Sequence, residues 1–144
     1  MNILFFLTPK SDTVYIYDND SLGQALKKMW YYRCTEMPVI DHRDGQYMGT
    51  VTEDELHWAI EDGYGRSLWE AEGGLVADIR HMLRKYNHGP VEVDTHIEEL
   101  EDMVIERNFV PVIDDAKCFI GFVTKEDVLR YMAEKSAEEE AMTG

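Results

Sequence analysis

Thr124 and Asp127 stand where an apolar run, predicted to be a strand, gives way to a helical pattern. The first turn of a helix has unpaired backbone N–H groups and the positive end of the helix dipole, and anions bind there. A carboxylate beside such a turn can accept hydrogen bonds from both hydroxyls of a ribose. The same Thr-x-x-acid spacing is also that of a capping box, which needs no ligand. Two interpretations therefore stay open: ribose and phosphate binding, or capping alone.

The same pattern occurs earlier in the chain, at Thr52 and Glu55. Glu is the preferred third residue of a capping box, and Asp54 comes one residue too early to match Asp127. The longer side chain of Glu55 can still reach a diol, but it holds the geometry less tightly. We therefore expect the better ligand site at Thr124 and Asp127, with Thr52 and Glu55 as the weaker copy.

Residue patterns for catalysis or metal binding are not evident. The five histidines show none of the His-x-x-x-His or Cys-His spacings of metal sites. No Gly-x-Ser-x-Gly, phosphate loop or catalytic cysteine context occurs. The acidic stretch at residues 41–46 lacks the spacing of a calcium loop and is interpreted as a hairpin turn. We expect a protein that is not an enzyme and that requires no metal or cofactor.

The two Thr-x-x-acid segments belong to an internal sequence repeat. Pro-Val-Ile-Asp occurs at residues 38–41 and 111–114, and a polar turn and Gly-x-Val-Thr follow each copy, at residues 49–52 and 121–124. Ahead of each copy lie a short alternating run, predicted to be a strand, and an apolar face at helical spacing. Each of these predicted helices starts at an Asp-Ser or Asp-Thr pair that can cap it, at residues 20–21 and 94–95. A second helical pattern follows each copy. The predicted fold class is α/β, with a strand, helix, strand, strand, helix unit repeated in tandem.

One such unit, of about 50 residues, buries too little apolar surface to be stable alone. We expect the two copies to pack pseudo-symmetrically through their sheets and to complete one core. The predicted boundaries are residues 1–70 for the first unit, 71–134 for a linker helix and the second unit, and 135–144 for an acidic tail. The linker helix is predicted from Val76 to Tyr86. The tail is polar and aperiodic, so we expect it to be disordered.

Composition and charge narrow the classes of partner. The chain has 144 residues, 44% of them hydrophobic, and a formal net charge of −15. Long-range repulsion should make nucleic acids and anionic membranes poor partners. No apolar run approaches the roughly 20 residues that a membrane-spanning helix needs, and the first residues lack the features of a secretory signal. We therefore expect a cytoplasmic protein whose two cysteines stay reduced.

The repeated pattern, a hydrophobic residue, Pro-Val-Ile-Asp, a turn and Gly-x-Val-Thr-x-x-acid, resembles the CBS domain. Two such units in tandem, from Leu4 to Met132, resemble a CBS pair, or Bateman module. The resemblance implies a regulatory module that binds AMP, ADP, ATP, S-adenosylmethionine, NAD or cyclic di-AMP between its units, and that assembles as a dimer. It also implies that Thr124 and Asp127 contact ribose and phosphate. Glu55 departs from the Asp of this family.

Other residues are expected to line the ligand. The residue before each repeated proline should present backbone groups to the adenine, since proline fixes φ and removes one donor, and the resemblance implies such contacts. Phe109 and Tyr15 could stack on the base or belong to the core. The adenine candidates are Met37, Pro38, Val110, Pro111, Phe109 and Tyr15, and the phosphate candidates are Lys10, Arg84 and Lys85. Arg84 and Lys85 belong to a basic stretch, residues 80–88, which could instead be a solvated face.

Trp30, Tyr31 and Tyr32 are consecutive and must point in different directions. At least one should be exposed or lie in an interface, where Trp and Tyr are enriched, and we expect a homodimer. A module of this kind would act on an effector protein in trans. The alternative is a non-catalytic scaffold or interaction module whose nucleotide sites have decayed, which the imperfect Thr52–Glu55 pair favours.

Overall fold

The strands and helices follow a similar order in the two halves of the chain. The computed structural model describes residues 1–63, 74–83 and 89–143. The strands in these ranges are β1 (Thr8–Pro9), β2 (Ile16–Tyr17), β3 (Glu36–Ile40), β4 (Tyr47–Thr52), β5 (Val91–Glu92), β6 (Phe109–Ile113) and β7 (Phe119–Thr124). The α-helices are α1 (Leu22–Tyr32), α2 (Glu53–Trp58) and α3 (Lys125–Thr143). Segments of 3₁₀ helix lie at Ile3–Phe6, Lys10–Asp12, Val76–Met82, Ile97–Leu100 and Met103–Ile105, and a π-turn at Ala59–Gly63 extends α2.

Helix α1 forms as its local pattern predicts. Leu22, Ala25, Leu26 and Met29 are all buried, so the apolar face at helical spacing is the face that packs. Ser21 caps the start, because its side chain accepts from the Gln24 amide and the Gln24 side chain accepts from the Ser21 amide. The helix ends at Arg33, whose φ of 56° is left-handed.

Two sheets repeat the same arrangement. In the three-stranded sheet, β2 runs parallel to β3 and β3 pairs with β4 as an antiparallel hairpin. In the four-stranded sheet, β5 runs parallel to β6, and β6 forms a hairpin with β7. Both hairpins shift register at the same place, between Val39 and Ile40 and between Val112 and Ile113. The predicted α/β fold with two repeated units is confirmed.

Segments at the start of each half are exchanged between the units. Strand β1 pairs with β7, and the Ile3 amide donates to the Thr95 carbonyl at 3.0 Å, so the first nine residues pack on the second unit. In return, Val76, Ile79 and Leu83 lie in the core of the first unit. Each unit therefore contains a segment from the other side of the boundary predicted between residues 70 and 71. The predicted linker helix is a 3₁₀ segment kinked at Ile79, and residues 84–86 lie outside the described ranges.

The repeated glycines make this exchange possible. Gly49 and Gly121 have φ of +144° and +150°, where L side chains are strained. A Cβ at Gly121 would collide with the Thr8 carbonyl oxygen, and a Cβ at Gly49 would lie 2.7 Å from Leu83 Cβ. The glycine of each Gly-x-Val-Thr segment is thus the point at which the exchanged segment crosses the hairpin.

The two units meet through their hairpins. Ile40, Tyr47, Ile113 and Phe119 form a buried cluster that joins the sheets. Around it, the Tyr47 amide donates to the Lys117 carbonyl and the Phe119 amide to the Gly45 carbonyl, each at 3.0 Å. These matched hydrogen bonds place the hairpins in a pseudo-twofold relation, as predicted.

The second unit has no long helix between β5 and β6 in the described ranges. Ile97, Leu100 and Val104 are buried there, but they lie on two 3₁₀ turns, Ile97–Leu100 and Met103–Ile105, the first of which starts after His96. Ile97, Leu100 and Met103 recur every third residue, and that spacing suits the three residues per turn of a 3₁₀ helix. The prediction of an apolar face is confirmed, whereas the prediction of one continuous helix starting at Asp94 and Thr95 is wrong.

The C-terminal residues continue helix α3 as far as Thr143. The disorder predicted for residues 135–144 is therefore wrong for the described part. The tail is rich in Ala, Glu, Lys and Met, which have high helix propensity, and no Gly or Pro interrupts it before Gly144. Within the described ranges, every helix is too short or too polar to span a bilayer.

Candidate functional site

The two Thr-x-x-acid segments lie at corresponding ends of the two hairpins. Thr52 ends β4 opposite Glu36, and Thr124 ends β7 opposite Phe109. The units also touch here, because the Asn108 amide donates to Glu36 Oε1 at 3.0 Å. Both helix starts therefore lie near this contact between the units, at the end away from the hairpin turns, because the Glu53 amide donates to the Thr35 carbonyl and the Lys125 amide to the Asn108 carbonyl.

The helix cap at Thr124 does not involve the Asp127 carboxylate. The Asp127 amide donates to Thr124 Oγ1 at 3.2 Å, which caps α3. The carboxylate instead lies 3.5 Å from the Arg130 guanidinium (Oδ1 to Nη1), and the side chain is 26% exposed. Because the cap uses the backbone of Asp127, its side chain remains able to accept hydrogen bonds from a ligand.

At Thr52 the capping box is complete. Glu55 Oε1 accepts from the Thr52 amide at 3.0 Å and from Thr52 Oγ1 at 2.9 Å, and the Glu55 amide donates back to Thr52 Oγ1 at 3.1 Å. This geometry is what capping alone requires. The first copy therefore matches the capping interpretation more closely than the second.

A cavity of about 270 Å³ opens in the groove beside Thr52. Its neutral polar lining is Thr35, Thr52 and Asn108, and its acidic lining is Glu36, Glu53, Asp54 and Glu106. We call it the acidic cavity. Among the lining residues that the structure describes there is no lysine, arginine or histidine, and neither Thr124 nor Asp127 is one of them.

The residues predicted to read adenine through their backbones are buried in β3 and β6. Met37 and Val110 are fully buried, each in the core of its own unit. Strands β2 and β5 begin opposite Val39 and Val112, so the first three residues of β3 and β6 have no strand partner on that edge in the described ranges. Backbone groups on this edge are available at Met37–Pro38 and at Val110–Pro111, and the side chains are not.

The two aromatic candidates lie at different places. Phe109 is 8% exposed and stacks on Phe122 with ring centroids 4.9 Å apart, which is core packing. Tyr15 is half-buried and lies 6.2 Å from the Phe119 ring, at the opposite end of β7 from Thr124. Five residues of strand separate these ends by about 17 Å, so Tyr15 does not lie where it could stack on the adenine of a ligand whose ribose is held at Thr124.

Lys10 accompanies Tyr15 rather than Thr124. Its Nζ is 5.3 Å from the centroid of the Tyr15 ring, and Lys28 Nζ is 5.4 Å from it. Pro9 is in register with Gly121, and the chain then runs away from Thr124, which places Lys10 toward the hairpin turns. Lys28 had no signal in the sequence, because only the packing of α1 brings it to Tyr15. Arg84 and Lys85 lie outside the described residues.

Arg107 is a buried cation that sequence reasoning missed. It is 8% exposed, and its Nη1 donates to the Gly89 carbonyl at 3.0 Å. Burial lowers the pKa of Arg107, while attraction to Tyr47 and Glu36 opposes that shift. Burial also raises the pKa of Tyr47 to about 12, and the hydroxyl shares a 2.6 Å hydrogen bond with Thr50 Oγ1. Arg107 is thus held by the Gly89 carbonyl and lies close enough to Glu36 to be attracted to it.

Asp18, Asp41 and His42 are close enough together to suggest a metal site, with ligand atoms within 4.8 Å of one another. Their hydrogen bonds explain the cluster without an ion. Asp18 Oδ1 accepts from the His42 amide at 2.9 Å and contacts Nδ1 at 2.8 Å, and the Arg43 guanidinium lies 3.3 Å from Asp41. Burial opposes ionisation of Asp18, but the bonds from His42 outweigh it and lower its pKa. These contacts stabilise a hairpin turn.

Comparison with known proteins gives consistent matches. The CBS domain model matches residues 7–62 and 76–134. Inosine-5'-monophosphate dehydrogenase of Methanocaldococcus jannaschii is 26% identical over 119 residues, which are 83% of this chain and 21% of that protein. The chain thus spans about a fifth of that relative's length.

Solved structures share the fold at low identity. The structure of CbpB in complex with c-di-AMP has a TM-score of 0.79 at 18% identity and covers 99% of this chain and 91% of that one. The structure of CBSX2 in complex with AMP has a TM-score of 0.72 at 21% identity, with 94% and 98% covered. With its repeated sheets, exchanged segments and two matched ranges, the chain belongs to the CBS domain family.

Proposed function

We propose that this protein is a regulatory, non-catalytic module that binds an adenosine-containing ligand between its two CBS units. The ligand is of the AMP or ATP type, or is S-adenosylmethionine, NAD or cyclic di-AMP. Similar structures hold c-di-AMP and AMP, which supports this class of ligand. The module acts on an effector protein in trans, in a compartment that holds adenine nucleotides, in line with the predicted cytoplasmic location.

The observation that carries the proposal is the state of Asp127. Its carboxylate takes no part in the Thr124 cap and stands in the first turn of the 19-residue helix α3. This helix starts beside Asn108, the residue that contacts Glu36 of the other unit. The positive end of the helix dipole favours a phosphate there, and the carboxylate accepts from a ribose diol. The unpaired edge of β6 at Val110 and Pro111 offers backbone groups to the adenine.

Homodimer formation is the second part of the proposal. Trp30, Tyr31 and Tyr32 are exposed by 54%, 79% and 48%, and Trp58 by 50%. Exposed aromatic side chains at the end of α1 and on α2 favour an interface over an isolated surface. Sedimentation velocity tests it: a monomer at all concentrations up to about 100 μM would refute a dimer of ordinary micromolar affinity.

A thermal-shift panel of the five ligand types tests the site. A ligand at 100 times its Kd stabilises the fold by about 2.7 kcal/mol, which is a shift of several degrees at this chain length. Asp127→Asn should weaken binding roughly tenfold or more, because a hydrogen bond to a charged acceptor is lost. The melting temperature without ligand should stay close to wild type, since Thr124 still caps α3.

Asp115→Asn is the matched control, because it removes the same charge from an exposed turn residue. Equal ligand shifts in wild type and in both variants would contradict the assignment of Asp127. If none of the five ligands changes the melting temperature, the scaffold function is favoured instead. That alternative has its own support in the closed Thr52–Glu55 box and in the acidic cavity.

A further inference from the structure

Lys10, Tyr15 and Lys28 form a cluster that the proposed nucleotide site does not use. The two ammonium groups lie 5.3 Å and 5.4 Å from the centroid of the Tyr15 ring. Phe119, whose ring is 6.2 Å from that of Tyr15, begins β7 at the opposite end from Thr124. The cluster is therefore separate from the position proposed for an adenosine-containing ligand, and we call it the lysine cluster.

The backbone fixes both lysines in place. Lys10 directly follows Pro9, which is in register with Gly121 in the pairing of β1 with β7. The Lys10 carbonyl also accepts from the amide and from the hydroxyl of Thr13, at 3.1 Å and 2.8 Å. Lys28 lies on α1, which has a capping box at its start and a left-handed residue at its end. The convergence of the two side chains on one ring is thus a consequence of the fold.

The two ammonium groups lack counter-ions. Both lysines are half-buried, and neither forms an ion pair with a residue that the structure describes. Removing an ammonium from water costs free energy unless it is paired, and contact with a tyrosine ring offsets only part of that cost. Two like charges at one ring also repel each other. Such a pair is unexpected in a chain with 29 acidic and 14 basic residues, unless an anion binds between them.

The hairpin turn beside Lys10 leaves room for an anion. A Cβ at Gly45 would lie 4.0 Å from Lys10 Nζ, and no other described atom outside the adjoining residues comes as close to that position. The neighbouring carboxylate is engaged elsewhere, since Asp44 Oδ1 accepts from the Gln46 amide at 2.9 Å. The acidic group nearest in the turn therefore does not neutralise Lys10.

We propose that the lysine cluster binds a small phosphoryl anion, either inorganic or carried by an organic ester. A phosphoryl group has close to two negative charges and three acceptor oxygens at neutral pH, which match two ammonium donors. Lysine binds phosphate as a point charge and needs no planar geometry, so two lysines from different elements can act together. The Tyr15 ring attracts both ammonium groups and keeps them close to each other.

Isothermal titration of the full chain with inorganic pyrophosphate at low ionic strength tests the proposal. Two charge-assisted hydrogen bonds suffice for a Kd of about 1 mM. Lys10→Gln and Lys28→Gln should each weaken binding about tenfold or more. Lys27→Gln is the matched control, because it removes the same charge from an exposed neighbouring position of α1, and it should bind like wild type.

Phenyl phosphate and orthophosphate distinguish the two sources of the phosphoryl group. The phenyl ring can stack on the half-buried Tyr15 ring. Tighter binding of phenyl phosphate than of orthophosphate, lost in Tyr15→Leu, assigns the lysine cluster to an organic ester. Equal binding of the two assigns it to an inorganic anion.

Stability without ligand gives an independent measurement. Because the ammonium groups repel each other and have no counter-ion, Lys28→Gln should leave Tm unchanged or raise it at low salt. A lower Tm in this variant but not in Lys27→Gln would mean that the lysine stabilises the fold, and would contradict the proposal.

The remaining outcomes separate the lysine cluster from the nucleotide site. Asp127→Asn should leave pyrophosphate binding unchanged, and a loss in this variant would place the anion at α3 instead. The proposal is overturned if neither pyrophosphate nor phenyl phosphate binds at concentrations up to about 10 mM. It is also overturned if Lys27→Gln weakens binding as much as Lys28→Gln, since that is the response of net charge alone. A failure of the adenosine ligands in the thermal-shift panel changes none of these expectations.

Discussion

Gly121→Ala is the substitution that most directly tests the exchange of segments. The new Cβ would collide with the Thr8 carbonyl oxygen and lie 3.0 Å from Leu7 Cδ1 and Pro9 Cα. Two of these obstacles are backbone atoms, which cannot rotate away. The substitution must therefore either strain the hairpin or lift β1 from β7.

Both routes have a similar cost. Strain at a φ of +150° together with overpacking costs about 3 kcal/mol. Lifting β1 would instead expose Ile3, which is fully buried in the second core, and exposing one such side chain costs about 2–3 kcal/mol. We therefore expect a loss of about 3 kcal/mol in the free energy of unfolding, or roughly 10 °C in Tm.

Gly45→Ala is the matched control. Gly45 also has a positive φ, +78°, but a Cβ there would meet only Lys10 Nζ at 4.0 Å. This variant should lose about 1 kcal/mol, from backbone strain alone. Urea unfolding measures both losses, and hydrogen exchange of the Ile3 amide reports whether β1 has lifted.

The reasoning fails if Gly121→Ala costs no more than Gly45→Ala. It also fails if Gly121→Ala is strongly destabilising but the unfolding slope and the Ile3 exchange show the first residues already free in wild type. In either case, the glycine would serve the hairpin and not the contact between units.

Four further predictions concern individual side chains. Tyr47→Phe should cost about 1–2 kcal/mol in urea unfolding, because the buried Thr50 hydroxyl loses its partner, and adding Thr50→Val should recover part of the loss. Spectrophotometric titration should show that Tyr47 ionises near pH 12. Because the pKa of Tyr47 is raised in the folded state, its contribution to the free energy of unfolding is present below pH 10 and is lost as the pH rises toward 12. The Tyr131 hydroxyl donates to Glu98 at 2.7 Å and lowers the pKa of Glu98 to about 2. Because this pKa is depressed in the folded state, the urea concentration at the unfolding midpoint should decrease as the pH is lowered from 4.5 to 2, and the decrease should be smaller in Glu98→Gln. Tyr31→Lys should shift sedimentation toward monomer without lowering Tm of the monomer, and an unchanged dimer would place the interface elsewhere.

Local patterns were sufficient for much of the fold. The buried face and cap of α1, the two hairpins and the Thr-x-x-acid junctions were all predictable, because each depends on residues within one or two turns or one strand pair. The Pro-Val-Ile-Asp repeat extended these predictions to a paired fold. Two predictions were wrong because the local sequence did not favour one structure clearly. Residues 97–105 suit a 3₁₀ turn as well as an α-helix, and residues 135–143 have helix propensity but no apolar periodicity.

The candidate site was predictable only in part. The spacing of Thr124 and Asp127 made them candidates, but the spacing does not specify the rotamer that decides whether the Asp127 carboxylate takes part in the cap. Lys10 and Tyr15 were grouped with the same ligand, whereas the register of β1 on β7 places them near the hairpin turns. Arg107 carried no signal, because its neighbour Glu36 lies 71 residues away in the chain.

Residue order alone was enough to establish the duplication and the α/β unit, since short-range hydrogen bonding and alternation of apolar residues operate within each segment. The assembled molecule was needed to learn that the first residues pack on the second unit and that carboxylates from both units meet in one cavity. These features depend on contacts between residues that are far apart in the chain, and the free energy of such contacts is set by the packing of the whole molecule.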